Sequence, residues 1–438
     1  EAHPEAPSHI SALMSGVMLK VALYGLIRFT YDLIGDIQWQ WGLVMLVIGS
    51  ASTLLGVLYA LLRNNLKRLL AYSSIENIGI IFSGLGLSMI FIGTGHDVLG
   101  VLGLVAALYH ILSHALFKGL LFLGAGAIAH ATHEYDLNNM GGLIKRMPQT
   151  AIFFLIGCLA ISGLPPLNGF VSEWLTFQAA LQAPALESGV LRSIIPVSAA
   201  VLALSAVLAA TCFVKVFGVA FLGVARSRRV AHAQEVDIGM RLSMGLLAVL
   251  CVLFGIFPST VISLIDAVPM MLLGQGPPSA AVHGWLWLTP ISPKVASYSA
   301  PLVFLAVIAV ALVSYVLLHV RAAKIRRGYP WDCGFGSLNS RMQYTGTAFS
   351  MPIQRIFAPV WDLKEDIEET KNANQPLRTE GIRHQLQALD KSWSRLYEPI
   401  GNLVLRTARQ VSRIQTGSIH TYLAYSFFTL ILLLWVVT

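Results

Sequence analysis

The chain of 438 residues is 55% hydrophobic and 12% charged, with a mean hydropathy of +0.68, whereas a soluble domain carries about 25% charged residues. That balance excludes a water-soluble globular enzyme, and the lack of ten-residue alternating segments excludes a membrane β-barrel. A net charge of +8 would suit a nucleic-acid partner, but the basic residues gather at helix ends, so no nucleic acid is needed to explain them.

Apolar blocks of about 18 or more residues are long enough to cross the hydrocarbon layer as helices. Nine are read, at 10–30, 40–62, 72–93, 98–130, 150–182, 193–222, 241–266, 300–320 and 419–437. The expected fold is an all-α polytopic membrane bundle with broken helices, about nine spans and a C-terminal amphipathic interfacial helix. The chain begins with Glu1 in a His- and Pro-rich stretch, EAHPEAPSH, without a signal-peptide pattern, and is read as starting mid-protein.

Basic residues follow alternate blocks: Arg63, Lys67 and Arg68, then Lys145 and Arg146, then Arg226, Arg228, Arg229 and Arg241, then Arg321, Lys324, Arg326 and Arg327. The intervening loops hold little beyond Arg192 and Lys294. The positive-inside rule then puts residue 1 and the tail at 321–418 in the cytoplasm and the C-terminus outside. Cys158, Cys212 and Cys251 lie in apolar blocks and Cys333 in the tail. Without a CxxC pair, neither a disulfide framework nor a zinc or iron-sulfur site is expected.

Chemistry is expected where charge enters these blocks. Lys20 is mid-block, where a lysine costs at least about 2.5 kcal/mol and so needs a polar cavity or partner. In the fourth block His110, His114 and Lys118 recur at i, i+4 and i+8, which puts them on one helix face. HxxxH can also bind a metal, but Lys118 would repel the cation and no carboxylate is spaced to complete the shell. In the fifth block Gly163, Pro165, Pro166 and Gly169 should break the helix and free backbone groups in mid-membrane. Glu173 follows, and a carboxylate beside a broken helix is a usual ion-site neighbourhood. A structural ion pair is the alternative for Glu173. Glu76 and Lys215, nearer helix ends, are weaker pathway candidates.

In the tail Ile382, Leu386, Leu389, Trp393, Leu396, Ile400, Leu403, Val411 and Ile414 recur at spacings of three and four, with Lys391, Arg395, Arg406, Arg409 and Arg413 mostly between them. This pattern predicts an amphipathic helix bent at Pro399, lying in the cytoplasmic membrane interface rather than in a coiled coil.

Four motifs in order, HPEAPSHISALMSGVMLKVALYGLIRF, LKRLLAYSSIENIGII, LYHILSHALFKGLLFLGAG and SGLPPLNGFVSEW, resemble the antiporter-like subunits shared by respiratory complex I, Mrp cation/proton antiporters and group 4 nickel-iron hydrogenases. SIENIG at 74–79 and the tail segments WDCGFG and MQYTGTAFSMP, within 331–352, resemble most the large antiporter-like subunits of hydrogenase 4 and formate hydrogenlyase complexes. The resemblance implies that Lys20 is the connecting lysine of a proton path, His110, His114 and Lys118 its central relay, and Glu173 the ionisable residue of the second broken helix. Residues 1–222 would form the second half of the bundle, 223–321 additional spans, 322–418 the cytoplasmic tail and 419–438 the final span.

Implied partners are other membrane subunits, the lipid bilayer, protons or Na+, and a cytoplasmic nickel-iron and iron-sulfur hydrogenase arm. No catalytic residue and no cofactor is expected in this chain itself. Three functions stay open: redox-driven proton pumping, Na+/H+ antiport or a complex I role, and a structural anchor that conducts nothing. The charge pattern makes a test by itself. A topology reporter fused after Arg229 or Arg327 is expected to read cytoplasmic and one near Gly276 external; an external reading at Arg229 reverses the orientation.

Overall fold

Hydrocarbon offers backbone amides no solvent to bond, so each apolar block must satisfy its own N–H and C=O groups, and a helix does so within one segment. The computed structural model describes residues 2–276, 286–291, 297–321, 328, 331, 333–334, 336, 339–372, 375–389, 391, 393–413 and 415–437. In chain order its main helices are α1 Ser8–Ile34, α2 Trp39–Leu62, α3 Leu66–Gly93, α4 Asp97–Thr132, α5 Pro148–Ile161, α6 Asn168–Ala180, α7 Gly189–Phe221, α8 Ile238–Ile256 and α9 Pro258–Leu273. After them come α10 Ala300–Arg321, α11 Gly346–Ile356, α12 Glu398–Ser412 and α13 Ile419–Val437. Among the described residues, eight helices are long and apolar enough to cross a membrane. With the broken pair α5 and α6 they account for all nine apolar blocks. Lys294, Lys324, Arg326, Arg327 and Ile414 lie outside the described residues.

The chain divides at Met351/Pro352 into two units. In the first, α3 and α4 form the centre, with nearly every residue from Ser83 to Phe91 buried. Two apolar clusters surround them: one gathers Leu46, Phe91, Tyr109 and Leu175, the other Leu23, Tyr31, Leu85 and Leu104. Burial among lipid-like neighbours supplies little drive, so close packing must hold the helices together.

Glycine provides that packing. Gly42, Gly49 and Gly56 repeat every seven residues on α2, and Gly79, Gly86 and Gly93 do so on α3. The helices run antiparallel, so each glycine meets the partner's backbone. A Cβ on Gly42 would lie 2.6 Å from Gly86 O, one on Gly49 2.7 Å from Gly79 O, and one on Gly56 2.5 Å from Glu76 N.

α1 is not a uniform α-helix. It passes through π turns at Met14–Met18 and Arg28–Ile34, and Lys20 lies two residues beyond the end of the first. Such turns re-aim the residues beyond them and recur at functional sites. Between α5 and α6 the helix is interrupted at residues 162–167, with Gly163 at φ 60°. Of the four residues expected to break it, Gly163, Pro165 and Pro166 lie in the interruption. Gly169 is already helical, and its missing side chain lets Ala160 O approach.

At the cytoplasmic end read from the sequence, Gln343 to Ser350 cross several loops. Gln343 Nε2 donates to Val224 O at 2.8 Å, Asn64 Nδ2 to Thr347 Oγ1 at 2.8 Å, and Ser350 Oγ to Leu61 O at 2.7 Å. The second unit contains an antiparallel hairpin, β1 Asp362–Asn372 and β2 Gln375–Leu389. This corrects the predicted amphipathic helix, because Ile382, Leu386 and Leu389 fall in β2. A spacing of four suits a strand as well as a helix, Gly381 disfavours helix, and the backbone register pairs the two strands from Asp362 opposite Leu389 to Asn372 opposite Gln375. Helix is present from a π turn at Trp393–Tyr397 through α12. Pro399 lies in the first turn of α12, where its missing N–H costs nothing, so it starts a helix rather than bending one. Ile400, Leu403 and Val411 are exposed.

The glycine contacts generate a stability test. Gly79→Leu must push α2 from α3 and is expected to cost about 3 kcal/mol, read as a lower midpoint of thermal unfolding in detergent. Gly25→Ala, where nothing lies within 4 Å of the added carbon, should leave the midpoint unchanged.

Candidate functional site

α4 carries the site because its face is charged where its length is otherwise apolar. His110, His114 and Lys118 are all buried, at 1%, 0% and 0% exposure. The two imidazoles stack with centroids 6.4 Å apart and planes 15° from parallel. Helix α1 brings Lys20 to this face: its Nζ donates to Ser15 O at 2.5 Å and lies 2.8 Å from His114 Nδ1. A charged ammonium can only donate, so His114 Nδ1 then accepts and the imidazole proton sits on Nε2. That Nε2 is buried without a hydrogen-bond partner among the described residues.

The tautomer of His110 follows from its neighbours. Asn77 Nδ2 donates to Ser73 O at 2.7 Å, which turns Asn77 Oδ1 toward His110 Nε2 at 3.2 Å. An amide oxygen only accepts, so Nε2 carries a proton. Nδ1 lies 2.9 Å from Ser172 Oγ, and that hydroxyl is also 2.9 Å from Gly169 O. A neutral His110 accepts from Ser172. A cationic His110 donates to it while the hydroxyl turns to Gly169 O. Both charge states of His110 are therefore satisfied, which suits a group that takes up and releases protons.

Lys118 Nζ donates to Leu70 O at 2.9 Å and to Ser73 Oγ at 2.5 Å. One turn further along α4, the ring of Phe122 lies 5.8 Å from that of His3. Burial, and then the Lys118 charge, holds His3 below the ordinary imidazole value.

Glu173 follows Ser172 on α6, and its carboxylate packs on Gly163, where an added Cβ would meet Oε2 at 2.6 Å. It borders a small cavity with Ile80, Thr176, Phe177, Leu202 and Ala206. The structure thus joins Lys20 to His114, and His110 to the start of α6. Lys118 sits beyond them on the same face.

Lys215 is placed otherwise. It is fully buried, yet its Nζ donates to Leu61 O at 2.9 Å and Arg63 O at 2.8 Å, the carbonyls that close the C-terminal end of α2. Glu76 lies deeper than its sequence position suggested: α3 starts at Leu66, which puts Glu76 in its third turn, 2% exposed. Ser73, Asn77 and Ser172 escaped the sequence reading. Their only signal was polarity inside apolar blocks at helical spacing. Among the described residues, no group of three or more His, Cys, Asp or Glu gathers to hold a metal.

Residues 1–202 match a family model described as NADH:quinone oxidoreductase/Mrp antiporter, transmembrane. Hydrogenase-4 component B of Escherichia coli (strain K12) is 39% identical over 99% of this chain and 65% of its own length. Over residues 1–202 the chain carries the transmembrane region of the NADH:quinone oxidoreductase/Mrp antiporter family. Formate hydrogenlyase subunit 3 of the same organism is 36% identical over 83% of this chain and 57% of its own length. The chain thus spans less than two thirds of these curated family members. An archaeal respiratory membrane complex, the membrane-bound sulfane sulfur reductase, contains a chain of the same fold, with a TM-score of 0.68 at 24% identity over 100% of this chain and 64% of that one.

Proposed function

We propose that this chain is a proton-translocating membrane subunit of a hydrogenase 4 or formate hydrogenlyase type of complex, with the redox chemistry in a cytoplasmic arm held by other subunits. The observation that carries the reading is the run from Lys20, in hydrogen-bond contact with His114, through the ring of His110 stacked 6.4 Å from it, to Ser172, the sequence neighbour of Glu173 at the helix break. Each member either titrates or can reverse its hydrogen bond, as a proton relay requires; His110, His114 and Ser172 are buried, and Lys20 and Glu173 are half-buried.

In this reading residues 1–222 conduct, 223–321 and 419–438 add spans, and the tail at 322–418 faces the cytoplasm. A proton arriving at Lys118 changes the field at His114 and Lys20, so the groups titrate as a coupled set rather than singly. A redox step elsewhere in the complex can then drive movement by altering one charge. The similarity to Hydrogenase-4 component B over nearly the whole chain supports this complex over a free-standing antiporter.

The test is made in vesicles holding the assembled complex. Lys118→Ala and Glu173→Gln should each lower redox-driven proton uptake by about a hundredfold, while electron transfer in the arm persists in part. Glu173→Asp should retain measurable uptake, since it keeps the carboxylate and shortens its reach. Wild-type proton stoichiometry in both neutralised variants would make these charges structural and the chain an anchor.

A further inference from the structure

Between Lys118 and Glu173 lies a carboxylate that the relay leaves unused. On α3 the residues Ser73, Glu76 and Ile80 are spaced three and four apart and so share one face. Ser73 Oγ accepts from Lys118, and Ile80 borders the cavity that Glu173 closes. Glu76 therefore stands about 4.5 Å along the helix from the first and about 6 Å from the second. It is 2% exposed, and its Oε2 has no hydrogen-bond partner among the described residues.

A buried carboxylate oxygen without a donor is costly. An ordinary structural glutamate would be paired or bonded on both oxygens. Lys118 and Glu173 are the charged groups whose fields reach Glu76, and neither makes a direct ion pair with it among the described residues. The backbone at this position is fixed closely, since Gly56 of α2 admits Glu76 N where any side chain would collide. The carboxylate is thus held on a rigid helix contact, with one oxygen free, between two groups of the relay.

We infer that Glu76 is the proton carrier between Lys118 and the Glu173 cavity, an inference that rests on the proposed relay. In the transfer the Lys118 ammonium gives up a proton and becomes a neutral amine, while the Glu76 carboxylate gains it and becomes a neutral acid. The acid then yields the proton to the Glu173 carboxylate and returns to its anion. No electron moves, and the reverse sequence carries a proton the other way. Glu76 also supplies a carboxylate for the Lys118 charge whenever the proton rests on the lysine, which keeps a lone cation from being stranded in hydrocarbon.

The experiment uses the assembled complex in vesicles, with proton uptake and redox-induced infrared difference spectra recorded together. Glu76→Gln should lower uptake by about a hundredfold and remove one component of the protonated-carboxyl band. Glu76→Asp should restore part of the uptake and shift that component instead. Lys118→Ala and Glu173→Gln run alongside as the test of the relay itself. If they abolish uptake while Glu76→Gln pumps at the wild-type rate with an unchanged carboxyl band, Glu76 is off the path and the relay stands without it. If all three pump normally, the relay falls and the inference with it. Should Glu76→Gln fail to assemble, Glu76→Asp decides: a lowered rate with a shifted band supports the carrier role, and a wild-type rate with an unshifted band overturns it.

Discussion

The contact between Lys20 Nζ and His114 Nδ1, at 2.8 Å, is the interaction on which the proposed relay depends. A lysine at mid-membrane is costly in isolation, and a second basic group so near makes two simultaneous cations more costly still. The pair is therefore best served by one proton held between two nitrogens, a state that answers sensitively to any third charge nearby. Lys118 supplies such a charge one turn along α4. The π turn at Met14–Met18 ends two residues before Lys20 and so bears on the direction in which the lysine leaves α1.

That arrangement requires helices to approach more closely than their usual side chains permit. The glycine repeats of α2 and α3 remove the Cβ atoms where the backbones meet, and van der Waals contact then replaces the hydrophobic drive that lipid cannot supply. Tight packing has a chemical consequence. It fixes α3 along its length, so Leu70, Ser73 and Asn77 are presented to α4 at set heights, and Asn77 can dictate the tautomer of His110. Packing of the core and proton chemistry are here one constraint seen at two levels.

Spans were legible in the sequence because hydropathy over a long block is a local property, and the shared face of His110, His114 and Lys118 because helical period is fixed. What stands opposite a helix face is tertiary, so Asn77 and Ser172 were invisible as partners of His110. The depth of Glu76 was misjudged because Lys67 and Arg68 interrupt the hydropathy at the start of α3. Lys67 in fact turns its amine to Pro4 O and Ala6 O, and the helix continues beneath it. In the tail, a spacing of four between Ile382 and Leu386 fits both periods, and the pairing of β1 with β2 decided between them.

Burial alone does not separate carriers from scaffolding, as the two fully buried lysines show. Lys215 spends its protons on Leu61 O and Arg63 O, carbonyls at the negative end of the α2 dipole, where a permanent cation is favoured. Ser350 adds a third hydrogen bond by donating to Leu61 O as well, so the site is a cap that ties α7 and α11 to the end of α2. Removing a proton from Lys215 would leave the helix end poorer by a donor without offering that proton a titrating neighbour in hydrogen-bond contact. Lys118 gives one bond to a carbonyl and one to the Ser73 hydroxyl, which can turn its own proton toward Leu70 O, and it lies beside the histidines on the same face. A buried lysine bound to fixed carbonyls stores its charge. One bound to a rotatable hydroxyl can release it, and under the proposed function that difference in partner suits Lys215 to scaffolding and Lys118 to proton exchange.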